Sequence, residues 1–436
     1  MIMNAANWIL HNRLPMGGVE SVSDSNLEYL IAQAAPLSGI KNIQAVPALD
    51  GSWNLSIADV LLRLGEYTFP YARTPLGGLT RLIPVLKYMY CFEKNINGQI
   101  VTSDLIDMAV YSTRSKISEE LGIGFSLITA EKWMRDTFGL SIVRFFDIEL
   151  VSKNKYPNVS HAINKPKKRT LRADWLVRAS SPSKPKKEYL FLVESKGTGT
   201  AGAHKPMLQK AVQQLAATTV DNQALQGLGV CTYSPLGGLT IYAIDPPRDD
   251  ENSNLPFLET PHSVKGDYRV LREGAGEWYE HPMAIDDRGF SDREPHLGLD
   301  LRSEPLSRLC ALQTALNLAH WSSDYRLLDS LHHAFRTPSP MGLRSKLEFE
   351  YRLETSQGWA VGYVVPIPGC RAALFSGVLE KISLALADLD FEQANILNAE
   401  AHGSARGEAV RPTAENVEIG NLAISGSGAV LAIIDL

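Results

Sequence analysis

A chain of 436 residues, 44% hydrophobic and 21% charged with a net charge of −5, has the composition of a soluble globular protein of two or three domains; as a whole it is not built to attract a polyanion. Its opening, MIMNAANWILHNRLP, lacks the charged start and long apolar run of a signal peptide, and no stretch approaches the roughly 18 to 20 apolar residues of a membrane helix. Cys91, Cys231, Cys310 and Cys370 lie far apart with no CxxC pair, which argues against a zinc cage or disulfide framework and for reduced thiols in a cytoplasmic protein.

Residues 1–102 mix short helical and loop signals, with helical character at Ser56–Leu64 and Leu79–Phe92 and no recognisable chemistry. Residues 102–138 read as one long or two abutting helices, with Ser103 or Asp104 as N-cap and Gly139 after the end. Leu140–Val151 is rich in β-branched and aromatic residues, as a strand is; Asp147 and Glu149 share one of its faces and read as an exposed edge, with Asp147 the one able to join a nearby site. After a basic loop, Leu171–Ala179 and Tyr189–Gly197 flank SSPSKPKKE, which predicts a hairpin with a long tip. His204–Thr218 predicts a helix with Pro206 in its first turn, and LGVCTYS and LTIYAID a second hairpin about Pro235-Leu236-Gly237-Gly238. The segment 103–245 therefore reads as helix, three strands, helix, two strands. Residues 246–300, rich in Pro, Asp, Glu and Gly, read as an irregular linker. Residues 301–436 form a further α/β region, with helices at Ser303–Arg336 and Ala372–Leu389 and strands at WAVGYVVP and AVLAIID.

Charge is concentrated in one place. Between Lys153 and Lys196 twelve Lys or Arg face three acids, so this segment carries +9 and the rest of the chain −14. A local positive field on an acidic body suits a phosphate backbone held at one site, although solvated basic loops give the same sum. Inside the segment, Gly197–Gly202 spells GTGTAG, the glycine pattern of a dinucleotide site. Its context is wrong for one: Glu194 and Lys196 interrupt the strand just before the first glycine, and the next helix starts after the last. No dinucleotide is expected, and the glycines read as a loop leaving a strand.

The same strand carries Glu194-Ser195-Lys196. Side chains alternate across a strand, so Leu190, Leu192, Glu194 and Lys196 share one face, as do Arg172, Asp174, Leu176 and Arg178 on its neighbour. Paired as a hairpin, the two strands can set Asp174 beside Glu194. Like charges at that distance raise each other's pKa unless a cation joins them, and hard oxygen ligands favour Mg²⁺ or Mn²⁺. The Ser195 carbonyl is a natural further ligand, and Lys196 can orient a water or stabilise charge on phosphoryl oxygens.

Asp174, some twenty residues, then Glu194-x-Lys196, on adjacent strands with a helix before and after, resembles the PD-(D/E)XK nuclease superfamily, which includes restriction endonucleases and Holliday-junction resolvases. The resemblance covers residues 102–245 and departs from the pattern at Ala173, where a proline is common. It implies a restriction-endonuclease-like αβββαβ core, a mixed sheet flanked by helices, and Mg²⁺-dependent hydrolysis of phosphodiesters in DNA. Many members carry a glutamate on the leading helix, for which Glu119, Glu120 and Glu131 compete, and a glutamine on the helix after Glu-x-Lys, for which Gln209, Gln213 and Gln214 compete. On this reading Lys165, Lys167, Lys168, Arg169 and Arg172 on one loop and Lys184, Lys186 and Lys187 on the other contact phosphates without reading sequence. The flanking regions would choose substrate or bind a protein partner or a second copy, and such chains often act in defence against foreign DNA. The rival expectation is a nuclease-like core that binds nucleic acid or assembles a complex without cutting. Elsewhere the signals are thin: His320, His332 and His333 lack ligand-spaced partners, no GxSxG elbow exists, and Trp175 reads as core.

Overall fold

Amphipathic helices and two sets of apolar strands account for the residues that the structure, a computed structural model, describes: 14–33, 43–68, 77–104, 106, 111–153, 172–220, 223–245, 257–259, 303–323, 327, 351–367, 372–388, 390–404, 413–414 and 417–435. The first half of the chain gives β1 (Met16–Val22), α1 (Ser25–Gln33), β2 (Gly51–Ser56), α2 (Ile57–Thr68), α3 (Gly77–Tyr88), α4 (Tyr111–Phe138), β3 (Ile142–Asp147), α5 (Ile148–Lys153), β4 (Trp175–Ser181), β5 (Lys184–Thr198), α6 (His204–Ala217), β6 (Gly227–Tyr233) and β7 (Thr240–Ile244). Its strands form one sheet in the order β2-β1-β7-β6-β5-β4-β3, with Phe257–Glu259 added beside the first part of β5. Two neighbour pairs are parallel, β1 with β7 and β5 with β6; the rest are antiparallel. The second half gives α7 (Ser303–Ser322), β8 (Tyr351–Thr355), β9 (Gly358–Pro366), β10 (Ala372–Leu379), α8 (Glu380–Ala387), α9 (Phe391–Ser404), β11 (Val417–Ile424) and β12 (Ala429–Asp435). These strands make an antiparallel sheet, β8-β9-β10-β12-β11, that Thr413–Ala414 extends to six strands.

The protein is thus mixed α/β, with a mixed sheet flanked by helices. On one face of β4 and β5, Trp175, Val177, Phe191 and Val193 pack under α4, whose Phe125 and Trp133 join the same core. Trp133 meets Phe191 edge-on at 5.6 Å. On the other face, Leu176, Leu190 and Leu192 join Leu215 of α6. Each such fully buried side chain contributes about 1.5–3 kcal/mol, so the two-sided cover fixes the register of the hairpin and every side chain it carries.

One close approach ties α4 to the strand that bears Glu194. A Cβ on Gly197 would lie 1.8 Å from the Ser118 carbonyl oxygen, and one on Gly122 would lie 2.8 Å from the Lys196 carbonyl oxygen. Two backbones meet here, which is why glycine stands at both positions. Gly197 sits inside β5 and α6 begins only at His204, so the GTGTAG run closes a helix–strand contact before it opens a turn.

Several boundaries differ from the sequence reading. The stretch 140–151 is a strand only to Asp147, whose Oδ1 accepts the Glu149 N–H at 2.8 Å and caps α5, so Asp147 and Glu149 do not share a strand face. Thr102 closes a small hairpin, Phe92–Lys94 with Ile100–Thr102, and the Ser103 N–H is bonded to the Cys91 carbonyl; α4 starts later, at Tyr111. The expected long tip of the β4–β5 hairpin shrinks to Pro182-Ser183, because Ser181 already pairs with Lys184 and Phe257–Glu259 holds Lys187–Tyr189 in the sheet. Ala372–Leu379, expected as helix, is a strand between β9 and β12 with all eight residues buried; a run apolar on both faces has no period to tell the two apart. The 246–300 linker, apart from residues 257–259, lies outside the described residues.

Candidate active site

Antiparallel register sets Trp175 opposite Val193 and Leu176 opposite Leu192, so the next pair outward is Asp174 and Glu194. Their backbones and carboxylates interlock. The Asp174 N–H donates to Glu194 Oε2 at 2.8 Å, and the Ser195 N–H donates to Asp174 Oδ2 at 3.0 Å. Lys196, on the same face, donates to Glu194 Oε1. Asp174, Glu194, Ser195 and Lys196 are therefore brought together at the open end of the hairpin.

Flanking elements hold Asp174 from both sides. Its carbonyl accepts the Ile148 N–H at 2.9 Å, from the junction of β3 and α5. Thr218, just past α6, accepts the Ala173 N–H at 2.9 Å and donates to the Gln214 carbonyl at 2.8 Å; Gln214 Nε2 donates to the Arg172 carbonyl at 2.7 Å. On the opposite face the Trp175 indole N–H reaches Ser195 Oγ at 3.2 Å.

The electrostatics follow from burial. Glu194 is 0% exposed, and desolvation first, then the charge of Asp174, push its carboxyl up to about 8 while Lys196 pulls it back. Asp174, half-buried, is also raised, chiefly by desolvation and a little by Asp147, with Lys196 opposing. Asp174 Oδ2 accepts the Ser195 N–H, and the Asp174 and Glu194 carboxyls lie within hydrogen-bonding reach of each other. Lys196 keeps 17% of its side chain exposed. The cluster thus has a buried floor, Glu194, and two members that face outward.

The donor set fits a hard divalent cation: two adjacent carboxylates that share too little counter-charge. No group of three or more His, Cys, Asp or Glu side chains among the described residues is arranged to hold a metal. Such an ion would rest on Asp174, Glu194 and the Ser195 carbonyl, with water and substrate phosphate completing its shell, as Mg²⁺ commonly does.

Other expected residues do not converge. Glu120 is committed to Lys87, at 3.0 Å, and to Tyr88. Glu119 is exposed on α4, which covers the face of the sheet opposite the carboxylates, and Glu131 forks onto Arg63. Gln214 rather than Gln213 reaches the Asp174 segment, because α6 turns it inward while Gln213 stays half-buried. Lys184, Lys186 and Lys187 lie on β5 itself, seven to ten residues from Glu194, which is about 23–33 Å of extended chain. Lys186 pairs with Glu392 and Lys187 sits over the Tyr189 ring at 5.2 Å, so this group does not flank the carboxylates. Arg172 lies two residues before Asp174, half-buried. Lys165, Lys167, Lys168 and Arg169 lie outside the described residues.

Sequence reasoning did not single out Thr218, which has no motif around it, or the buried ion cluster Arg144–Glu188–Arg178, whose glutamate sits among lysines and reads as loop. Comparison with known proteins adds no relative: no family model, curated protein or solved structure matches this chain. No helix among the described residues is long and apolar enough to cross a membrane.

Proposed function

We propose that this protein is a metal-dependent nuclease that hydrolyses phosphodiester bonds in DNA, on a restriction-endonuclease-like core. The observation that carries the reading is the pairing of Asp174 with Glu194 beside Lys196 at an open strand end. A bound Mg²⁺ or Mn²⁺ would supply Lewis-acid polarisation of a phosphoryl oxygen and a nucleophilic water at neutral pH. Asp174 and Glu194 would hold it, kept in place by Thr218, Ile148 and Ser195. Lys196, released from Glu194 once that carboxylate has another cation, would donate to the water or to the phosphoryl oxygens. Arg172, two residues upstream, would meet a neighbouring phosphate. Defence against foreign DNA remains the biological setting that the family resemblance suggests, by analogy alone.

The second reading, a nuclease-like protein that binds nucleic acid or assembles a complex without cutting, draws on two observations: Lys196 is taken up by Glu194, and among the described residues no third acidic group joins the pair to hold a metal. Plasmid and oligonucleotide cleavage with Mg²⁺ or Mn²⁺ separates the two. Asp174→Asn, Glu194→Gln and Lys196→Met should each abolish cleavage while retaining DNA binding. DNA binding by the unaltered protein with no cleavage in either metal would overturn the nuclease reading in favour of the second.

A further inference from the structure

The sheet face that carries Glu194 and Lys196 continues past β5. Parallel pairing sets Cys231 of β6 beside Lys196 and Tyr233 beside Thr198. Antiparallel pairing then sets Tyr242 of β7 beside Cys231 and Thr240 beside Tyr233. Partners across a ladder point to the same side, so all of these share the Lys196 face. With strands about 4.8 Å apart and a rise of about 3.3 Å per residue, the Cα of Tyr233 lies about 8 Å from that of Lys196, and the Cα of Tyr242 about 10 Å.

Helix α6 covers the inner part of this face, where its Leu208 and Val212 pack with the buried Cys231. Its first residue, His204, lies flat on Tyr242, with ring centroids 4.1 Å apart and planes at 8°, and meets Tyr233 at 6.2 Å and 42°. Tyr233 is the outer member of the three. It is half-buried, belongs to none of the hydrophobic clusters, and its hydroxyl has no hydrogen-bond partner among the described residues. Between Lys196 and His204 the chain runs through the exposed turn Gly199–Gly202, which carries no side chain larger than a threonine. Lys205, half-buried next to His204, makes no ion pair among the described residues. Across the face, Glu20 of β1 is exposed opposite Thr240 and sets a negative edge.

A tyrosine ring that supports no core and whose hydroxyl binds nothing is spare surface for a flat ligand. Every nucleobase has such a face, and it is free only when the base is out of a duplex stack. Charge sets the orientation: cations at Lys196 and Lys205 draw the sugar-phosphate chain to the β5 side, and Glu20 repels it from the far edge, which leaves the base over β6. We propose that the substrate of the carboxylate site is single-stranded DNA, with the base next to the scissile phosphate stacked on Tyr233 beside the His204–Tyr242 pair; this rests on the nuclease reading above.

Fluorescence anisotropy of the full-length chain with a labelled single strand and with a duplex of the same length, in EDTA so that nothing is cut, tests the platform apart from the chemistry. The single strand should bind about tenfold or more tightly than the duplex. Tyr233→Ala should weaken single-strand binding by about five- to a hundredfold, the range for loss of one stacked base, and leave duplex binding and the thermal midpoint unchanged. Tyr233→Leu, which keeps bulk without a ring, should weaken it as much, and Tyr233→Phe, which keeps the ring, should bind as the unaltered protein does. Cleavage of the same two substrates in Mg²⁺ or Mn²⁺ is then read separately. Binding that depends on the Tyr233 ring with no cleavage in either metal would uphold the platform and remove the nuclease reading. Duplex cut as fast as single strand, or single-strand affinity equal in Tyr233→Ala, Tyr233→Leu and the unaltered protein, would overturn the platform and leave the nuclease reading standing.

Discussion

Replacing Glu194 with glutamine keeps the shape of the side chain and removes its charge, which isolates what a second buried carboxylate does to the fold. Glu194 is fully buried, and its carboxyl stands at about 8 against an ordinary 4.5, through desolvation and then Asp174. The folded state therefore holds a proton that the unfolded chain releases between those two values. Stability is greatest below about pH 4.5 and is lost as pH rises through about 8. The gap, at about 1.4 kcal/mol per pH unit, corresponds to on the order of 5 kcal/mol. Glutamine retains an oxygen for the Asp174 N–H and, where the folded carboxyl is itself protonated, is a near match for it. Urea unfolding from pH 5 to 9 should then show the variant about as stable as the unaltered protein at pH 5 and more stable at pH 9, the two curves diverging as pH rises. Millimolar Mg²⁺ should raise the unaltered protein's midpoint more at pH 8 than at pH 6, because a cation replaces the proton, and leave the variant unmoved. Parallel pH curves for the two proteins would refute the reasoning.

Three further substitutions probe how the site is held. Glu188→Ala leaves Arg144 and Arg178 buried without their carboxylate and should cost about 3–5 kcal/mol in urea unfolding. Gly197→Ala drives a Cβ into the Ser118 carbonyl, so α4 must lift from β5; a loss of about 3 kcal/mol is expected, with Asp174–Glu194 function impaired alongside. Thr218→Val keeps the volume but strands the buried Ala173 N–H, and should cost about 1–3 kcal/mol and lower cleavage through Asp174.

The part of the site legible in the sequence is the part that follows from alternation. Glu194, Lys196 and Asp174 fall on predictable faces once the hairpin is assumed, and Leu176 and Leu192 beneath them confirm which face is which by their burial. Pairing partners outside the hairpin were not legible. Nothing near Lys184–Lys187 announces that Phe257–Glu259, some seventy residues on, will hold them extended, so a basic strand end reads as a basic loop. The leading-helix glutamates failed for a related reason: spacing along α4 does not show that this helix covers the Trp175 face, or that Lys87 and Tyr88 will engage Glu120. The buried strand Ala372–Leu379 shows the limit of periodicity itself, since burial on both faces erases the pattern.

Two charged clusters lie on one face of the same hairpin, and they differ in a way that decides between structure and chemistry. Along β5 that face runs Glu188, Leu190, Leu192, Glu194, Lys196; along its neighbour it runs Asp174, Leu176, Arg178. At the turn end, Glu188 lies between Arg144 and Arg178, with Arg144 also bonded to Asn395 of α9; burial lowers both arginines to about 10, and every member is at most 10% exposed. That cluster is shut and serves to hold α9 on the sheet. At the open end, Lys196 and Asp174 keep exposure. A group that must meet a substrate has to reach it, so only the open cluster can do chemistry. The consequence is a pair of opposite signs. Loss of Glu188 should cost stability and leave the specific activity of the folded fraction intact. Loss of the Glu194 charge should gain stability at high pH and end cleavage, the trade expected where a fold tolerates strain for function.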